Sequence, residues 1–349
     1  MFDKLIGNNQ IKEMFRRMVS NRRIPNAFIF AGDAGVGKQL FALELAKTIL
    51  CRNLQSGEAC DKCAACSRAV KFAALPPHDS DHKDEYKKVF WSEHSDVGRI
   101  VPYKNSILVD AIRDLTEQAN LTPYEGKARF FLIENAEKLS AGQGEAANAL
   151  LKTLEEPPAT THLFLLTARA DSLLQTILSR CQMIRFAPIA AEEIEKYLQA
   201  TKKVSPVEAK LISRLSRGSL GNALSLNLDV YKTQREMMLN VLDAITVSKD
   251  RARLLKIAEE MNEAKLKDEY EQRLEVLENL IHDVWTLKLG AADLINADLE
   301  PKLARFAENT DSRRAQTWLA EIETLREQFA VNVNRKIATD ALFLKMANA

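Results

Sequence analysis

Gly32-Asp33-Ala34-Gly35-Val36-Gly37-Lys38 stands between the apolar run AFIFA and the helix-patterned QLFALELAKTIL. A GxxxxGK segment in a strand–loop–helix setting is built to hold phosphate. Its glycines let backbone amides approach the oxygens, the helix N-terminus adds partial positive charge, and the lysine neutralises what remains. Gly32, Gly35, Gly37, Lys38 and Gln39 are therefore candidate nucleotide-binding residues, with ATP or ADP as the expected ligand. The bland alternative is a glycine-rich turn with a lysine at a helix start. A hydrolytic site needs a Ser or Thr hydroxyl after the lysine to hold Mg²⁺. This chain has Gln39, whose longer amide would sit elsewhere, so magnesium is not expected to be well placed.

The acidic corner of such a site should follow another strand. RFFLI (129–133) runs into Glu134-Asn135-Ala136-Glu137. Glu134 can support a metal, but Asn135 cannot accept a proton from water, so the general base is missing. Glu137 reads as a solvated residue at a helix start. Two independent defects in one site predict that nucleotide can bind while turnover is lost.

Cys51, Cys60, Cys63 and Cys66 follow the phosphate-loop helix as C-x8-C-x2-C-x2-C. Four thiolates complete a tetrahedral Zn²⁺ shell and leave no open position, which makes the expected role structural. Disulfides are disfavoured in a cytosolic chain. An iron–sulfur cluster and unligated core cysteines remain alternatives, although the spacing does not match ferredoxin patterns. Cys181 stands alone at a strand start and reads as buried rather than reactive. His78 and His82 sit in the polar segment 76–88, which reads as a solvated loop ahead of a second metal site. His162 and His282 have no nucleophile near them in sequence.

These groups need a scaffold, and 349 residues suggest about two or three domains. The 49 Lys+Arg nearly cancel 48 Asp+Glu, leaving a formal charge of +1, so no whole-chain basic field marks a nucleic-acid coat. No apolar run reaches the roughly 18 residues of a membrane span, and the N-terminus has no signal-peptide pattern. A cytoplasmic protein is expected. The apolar runs 27–31, 129–133, 162–167 and 182–186 alternate with helical patterns, predicting a parallel sheet with helices on its faces. A fifth strand is expected within 88–97. Two or three short helices should occupy 187–228, with Ser205-Pro206 starting one of them. Eleven of the 12 glycines lie at or before Gly221, and the breaker-poor remainder reads as helical. Apolar residues recur at three- and four-residue spacing in 231–245 and 271–289, where Met237, Met238, Trp285 and, further on, Trp318 read as packing residues.

The phosphate loop, the cysteine spacing, ANALLKTLEEPP (147–158) and TILSRCQ (176–182) come in a specific order, joined by FDKLIGNNQ and the HSDV of 94–97. Over residues 1–225 this resembles the bacterial DNA polymerase III clamp-loader subunits. The resemblance implies an α/β AAA+ P-loop parallel-sheet domain (1–187) with a zinc knuckle near 51–66. A small helical lid domain (188–228) and a C-terminal all-α collar domain (229–349) would follow. Two branches of that family carry the knuckle, the ATP-hydrolysing gamma/tau branch and the delta-prime branch. Here Gly221 falls where the lid's sensor arginine would stand, and Ala168 where the sensor threonine would. With Gln39 and Asn135, these four departures match the delta-prime branch.

Ser179-Arg180-Cys181 is complete. In the family this arginine reaches a neighbour's ATP and stabilises charge on the transferred phosphate, so the resemblance assigns Arg180 a catalytic role in trans. A helix-end arginine pairing with a local carboxylate is the plain alternative. The resemblance further implies a stator in a heteropentamer with gamma/tau and delta, acting on a sliding clamp and primed DNA and making no membrane contact. Any DNA contact would be to backbone phosphate. The rivals are a gamma/tau-type ATPase and a zinc-containing adaptor outside replication.

Overall fold

Strands covered on both faces carry unbroken apolar runs instead of alternation. AFIFA, RFFLI and THLFLLT are buried at every position. The structure, a computed structural model, describes residues 2–263, 269–291, 293–329 and 334–348. It divides into two compact units, Met1–Tyr197 with Ser216–Leu224, and Leu198–Leu215 with Ser225–Ala349. The first unit begins with α1 (Asn9–Ser20), β1 (Ala27–Ala31), α2 (Lys38–Leu50) and α3 (Ala64–Ala69). It continues through β2 (Phe90–Trp91), β3 (Val97–Ile100), α4 (Val109–Ala119), β4 (Arg129–Ile133) and α5 (Glu145–Glu155). β5 (Thr161–Thr167), α6 (Gln175–Leu178) and β6 (Gln182–Arg185) complete the sheet.

The sheet order is β2-β3-β4-β5-β1-β6, parallel throughout except for the β2–β3 edge. Alternate residues of each strand point to opposite layers. Ile29, Phe131 and Leu163 pack with Ile112 and Leu115 of α4 and Leu150 of α5. Phe28, Phe30, Phe130 and Phe164 pack with Phe15 of α1 and Phe41 of α2. Both the loop after β1 and the loop after β4 leave the C-terminal edge of the sheet, where α/β folds bind ligands.

The strand expected within 88–97 is the short antiparallel β2, and the segment also holds the first residue of the parallel β3, which runs on to Ile100. Between the two, Ser92–Asp96 turn rather than extend. The Ser92 hydroxyl donates to the His94 carbonyl and accepts from the His94 amide, each at 3.0 Å. Asp96, fully buried, accepts the amides of Tyr124, Glu125 and Gly126 at 2.7, 2.9 and 2.7 Å and faces Arg129. Gly98 lets β2 close over β3, since a Cβ there would lie 2.3 Å from Val89 Cγ1.

Three helices follow the sheet, α7 (Ala191–Lys202), α8 (Pro206–Leu215) and α9 (Leu220–Ser225). Ser205 caps α8: its hydroxyl accepts from the Glu208 amide at 3.3 Å and donates to the Glu208 carboxylate at 2.9 Å, with Pro206 in the first turn. In the second unit α8 is joined by α10 (Leu228–Thr246), α11 (Arg251–Met261), α12 (Tyr270–Lys288), α13 (Glu300–Glu308), α14 (Ser312–Phe329) and α15 (Arg335–Asn348). They share one core in which Met238, Trp318 and Phe343 are fully buried, with Met237 and Trp285 packed against it. Trp318 also donates its indole N–H to the Met346 carbonyl at 2.9 Å. Among the described residues, no helix is long and apolar enough to cross a membrane.

Removing the Asp96 carboxylate leaves three partly buried amides without their acceptor and takes the facing anion from Arg129. Asp96→Ala is expected to cost the sheet unit about 3 kcal/mol, read as a lower denaturant midpoint. A loss below about 1 kcal/mol would contradict the anchoring assigned to this residue.

Candidate functional site

The phosphate loop takes its shape from glycine. Gly35 and Gly37 have φ of 76° and 99°, a left-handed region that side chains rarely enter. Gly35 also sits under the start of α9. A Cβ there would lie 2.2 Å from the Ser219 hydroxyl oxygen, and the Gly221 amide donates to the Gly35 carbonyl at 2.9 Å. At Gly221 a Cβ would lie 2.9 Å from Gly35 Cα, so a side chain as large as arginine could not stand there without moving the loop.

Lys38 opens α2 and donates to the carbonyls of Gly32 and Asp33, the second at 2.7 Å. Burial pushes its ammonium below the ordinary lysine range, with Glu137 and Asp33 opposing. The loop borders a cavity of about 390 Å³. Its lining includes the polar Lys38, Gln39, Glu134 and Asn135 and the apolar Leu5, Ile6, Ile189, Leu220 and Leu224. A mixed lining of that kind suits a ligand with an anionic part and a weakly polar ring.

The acidic corner is occupied by side chains of the protein itself. Gln39 donates its amide N–H to Glu134 Oε1 at 2.9 Å, and Arg99 donates to the same oxygen at 3.3 Å. Arg99 lies over the Phe72 ring at 4.6 Å from its centroid. Burial pushes the Glu134 carboxyl up from its usual range, and Arg99 works against that shift. Asn135 is exposed and adopts φ 49°, a left-handed conformation that Asn tolerates at the head of the 136–140 turn. It supplies no proton acceptor.

Two residues correct the sequence reading. Glu137 does stand in the first turn of a short helix, but it is half-buried rather than solvated, accepts the Thr167 hydroxyl at 2.6 Å and faces Lys38. Thr167, the last residue of β5, therefore puts a hydroxyl at this edge one position before Ala168. Arg99 was missed altogether. Its only sequence signal was a lone cation in a short apolar strand, and its register opposite Leu132 sets it beside the end of β4.

The four cysteine sulfurs all lie within 4.8 Å of one another. Amides of Asn53 and Cys60 donate to Cys51 Sγ at 3.4 and 3.3 Å, and the Cys63 amide donates to Cys60 Sγ at 3.3 Å. Burial opposes ionisation of Cys63, but the amides of Cys66 and Arg52 and the neighbouring thiols bring it down to about 6. Four convergent sulfurs with amide support are the donor set zinc prefers, so the cluster can hold Zn²⁺ as a closed structural site. The same loop ties down the N-terminal segment. Glu58 accepts from the Phe2 amide at 2.8 Å and from Arg16 at 2.6 Å, while Asp61 pairs with Lys4 and Lys47 at 2.6 and 2.7 Å.

Other candidates do not converge. His78 packs against the rings of Tyr86 and Tyr103, while His82 pairs with Asp79 at 2.7 Å. Among the described residues, the four cysteines form the one cluster of three or more metal-ligand side chains. Burial pushes the Cys181 thiol up to about 12, which leaves it unreactive near neutrality. His162 is taken up by the Pro25 carbonyl at 2.9 Å and stacks on Phe130.

Arg180 follows α6 and does not line the cavity. It pairs with Glu155 at 2.8 Å and donates to the Thr176 carbonyl at 3.0 Å. Within this chain it is thus the helix-end arginine held by a local carboxylate. Its side chain keeps 35% exposure, which leaves part of the guanidinium facing outward.

Purified protein is expected to carry about one zinc per chain after dialysis, and Cys66→Ser to lose it, as read by elemental analysis. Unchanged zinc in that variant would contradict a four-thiolate site.

A family model described as DNA polymerase III, delta subunit, matches residues 7–190, and one described as its C-terminal part matches 231–347. The DNA polymerase III subunit delta-prime of Bacillus subtilis is 27% identical over 328 residues, covering 93% of this chain and 92% of that protein. The Escherichia coli delta-prime subunit is 28% identical, covering 92% and 88%. The tau subunit of Bacillus subtilis is 28% identical but covers 79% of this chain and 46% of its own length. Among solved structures, a gamma-subunit-related protein of Thermotoga maritima aligns over 96% of this chain and 98% of that one, with 18% identity and a TM-score of 0.42. With its α/β half and its helical half both matched, the chain belongs to the DNA polymerase III delta-subunit family.

Proposed function

We propose that this chain serves as the delta-prime subunit of a bacterial DNA polymerase III clamp loader. It is a stator that holds nucleotide without cleaving it and lends Arg180 to an adjacent ATPase subunit. One observation carries the reading. The phosphate loop keeps its glycine geometry and its lysine, while the corner that should activate water is filled by Gln39, Glu134 and Arg99. A site that has kept its cradle and lost its base and metal ligand can bind but not turn over.

ATP or ADP would place its phosphates on Gly32–Lys38 and its base against apolar residues that line the same cavity, such as Ile6 and Ile189. Arg180 would act elsewhere, on ATP bound to a gamma/tau neighbour. Its exposed guanidinium can stabilise charge developing on the transferred phosphate, an effect on the order of 10³–10⁵ at one site. The assembly would be a cytoplasmic heteropentamer with gamma/tau and delta that opens a sliding clamp on primed DNA. Residues 188–228 would form the lid and α10–α15 the collar that holds the ring together. With a net charge of +1, any DNA contact would be local and made to backbone phosphate.

In a ring reconstituted with gamma/tau and delta, Arg180→Ala is expected to remove the turnover of the single site it serves. DNA-stimulated ATPase then falls by that site's share and clamp loading falls further. Arg180→Lys should not rescue it, because an ammonium lacks the planar fork. An unchanged ATPase rate in Arg180→Ala would contradict the trans role. Turnover by the isolated chain that Lys38→Ala abolishes would instead identify a gamma/tau-type enzyme.

A further inference from the structure

The Glu134 corner departs from a metal site in more than ligand count. Gln39 occupies the position that should offer a hydroxyl oxygen to Mg²⁺, yet it turns an N–H toward Glu134 Oε1 at 2.9 Å. A carboxylate can only accept, so the amide nitrogen must face it. The second donor to that oxygen, Arg99, is held in place. It has 13% side-chain exposure, stacks on Phe72 at 4.6 Å and reaches the Ala73 carbonyl at 3.5 Å. The other nearby carboxylate, Glu137, accepts from Thr167 and faces Lys38.

We propose that the Arg99 guanidinium and the Gln39 amide stand in the place of Mg²⁺ beside Glu134, so that a nucleoside di- or triphosphate on this loop binds without a divalent cation. The inference rests on the reading that the loop retains nucleotide. Mg²⁺ demands near-octahedral oxygen ligands, usually with one or two carboxylates among them. Here it would meet a carboxylate oxygen already shared by two N–H donors and a fixed positive charge next to it. Like charges repel strongly in a partly buried corner. The phosphates would instead be neutralised by Lys38, the glycine amides and the N-terminus of α2. Burial of Glu134 agrees with this, since it penalises any arrangement that leaves the carboxylate without a close cation.

The test is titration of the full chain with N-methylanthraniloyl-ADP, once in excess Mg²⁺ and once in EDTA. The dissociation constants are expected to agree within about twofold, or to be tighter in EDTA. Binding about tenfold or more weaker in EDTA would overturn this inference and leave the nucleotide reading standing. No saturable binding in either buffer would overturn the nucleotide reading and the inference with it. The double variant Gln39→Thr with Arg99→Ala frees the carboxylate and restores a hydroxyl. Its affinity should become about tenfold or more dependent on Mg²⁺. A folded double variant, checked by its circular dichroism, that stays as indifferent to metal as the parent would show that these two residues are not the cause.

Discussion

A carboxylate at the end of a buried strand can balance a metal ion or an arginine, and Glu134 is balanced by Arg99. Everything chemical about the sheet unit follows from that choice. The strand order brings the end of β4 and the loop after β1 to one edge, with β5 between them. The fold itself therefore brings the glycine loop and the acidic corner together. What differs is charge. Glu134 is balanced from within by Arg99 and Gln39, and Asn135 offers no base for water's proton.

The loop is also packed from above. Gly35 and Gly221 meet backbone to backbone, and the Gly221 amide closes on the Gly35 carbonyl. A catalytic lid has to move a charged side chain toward and away from phosphate during turnover. Here two glycines in direct contact stand in place of such a side chain. The acidic residues of the cysteine loop act on the N-terminal segment. Glu58 and Asp61 hold Phe2, Lys4 and Arg16, and the next residues of that segment, Leu5 and Ile6, line the cavity. The loop that carries the cysteine cluster thus anchors a segment of the cavity wall that contains no cysteine.

Much of this was legible in the sequence because it is local. The phosphate loop, the cysteine spacing and the Ser205-Pro206 helix start are each encoded within about twenty residues, and the apolar strands betray themselves by composition. What was not legible depends on partners far apart in the chain. Arg99 matters through Glu134, and Glu137 through Thr167, thirty-five and thirty residues away. Asp96, the acid of HSDV, explains itself only once the amides of 124–126 are seen to converge on it. The strand expected within 88–97 is the two-residue β2, and the turn that follows it ends at Asp96. Arg180 is the opposite case: the motif is plain, and the chain alone shows its resting partner, Glu155.

The most direct measurement is a structure of the assembled ring in its closed, ATP-analogue-bound state. The account predicts the Arg180 guanidinium within about 3 Å of a terminal phosphate oxygen on the neighbouring subunit, and Arg99 still on Glu134 with no metal between them. A closed ring with Arg180 turned to solvent, or with magnesium bound at Glu134 of this chain, would contradict it.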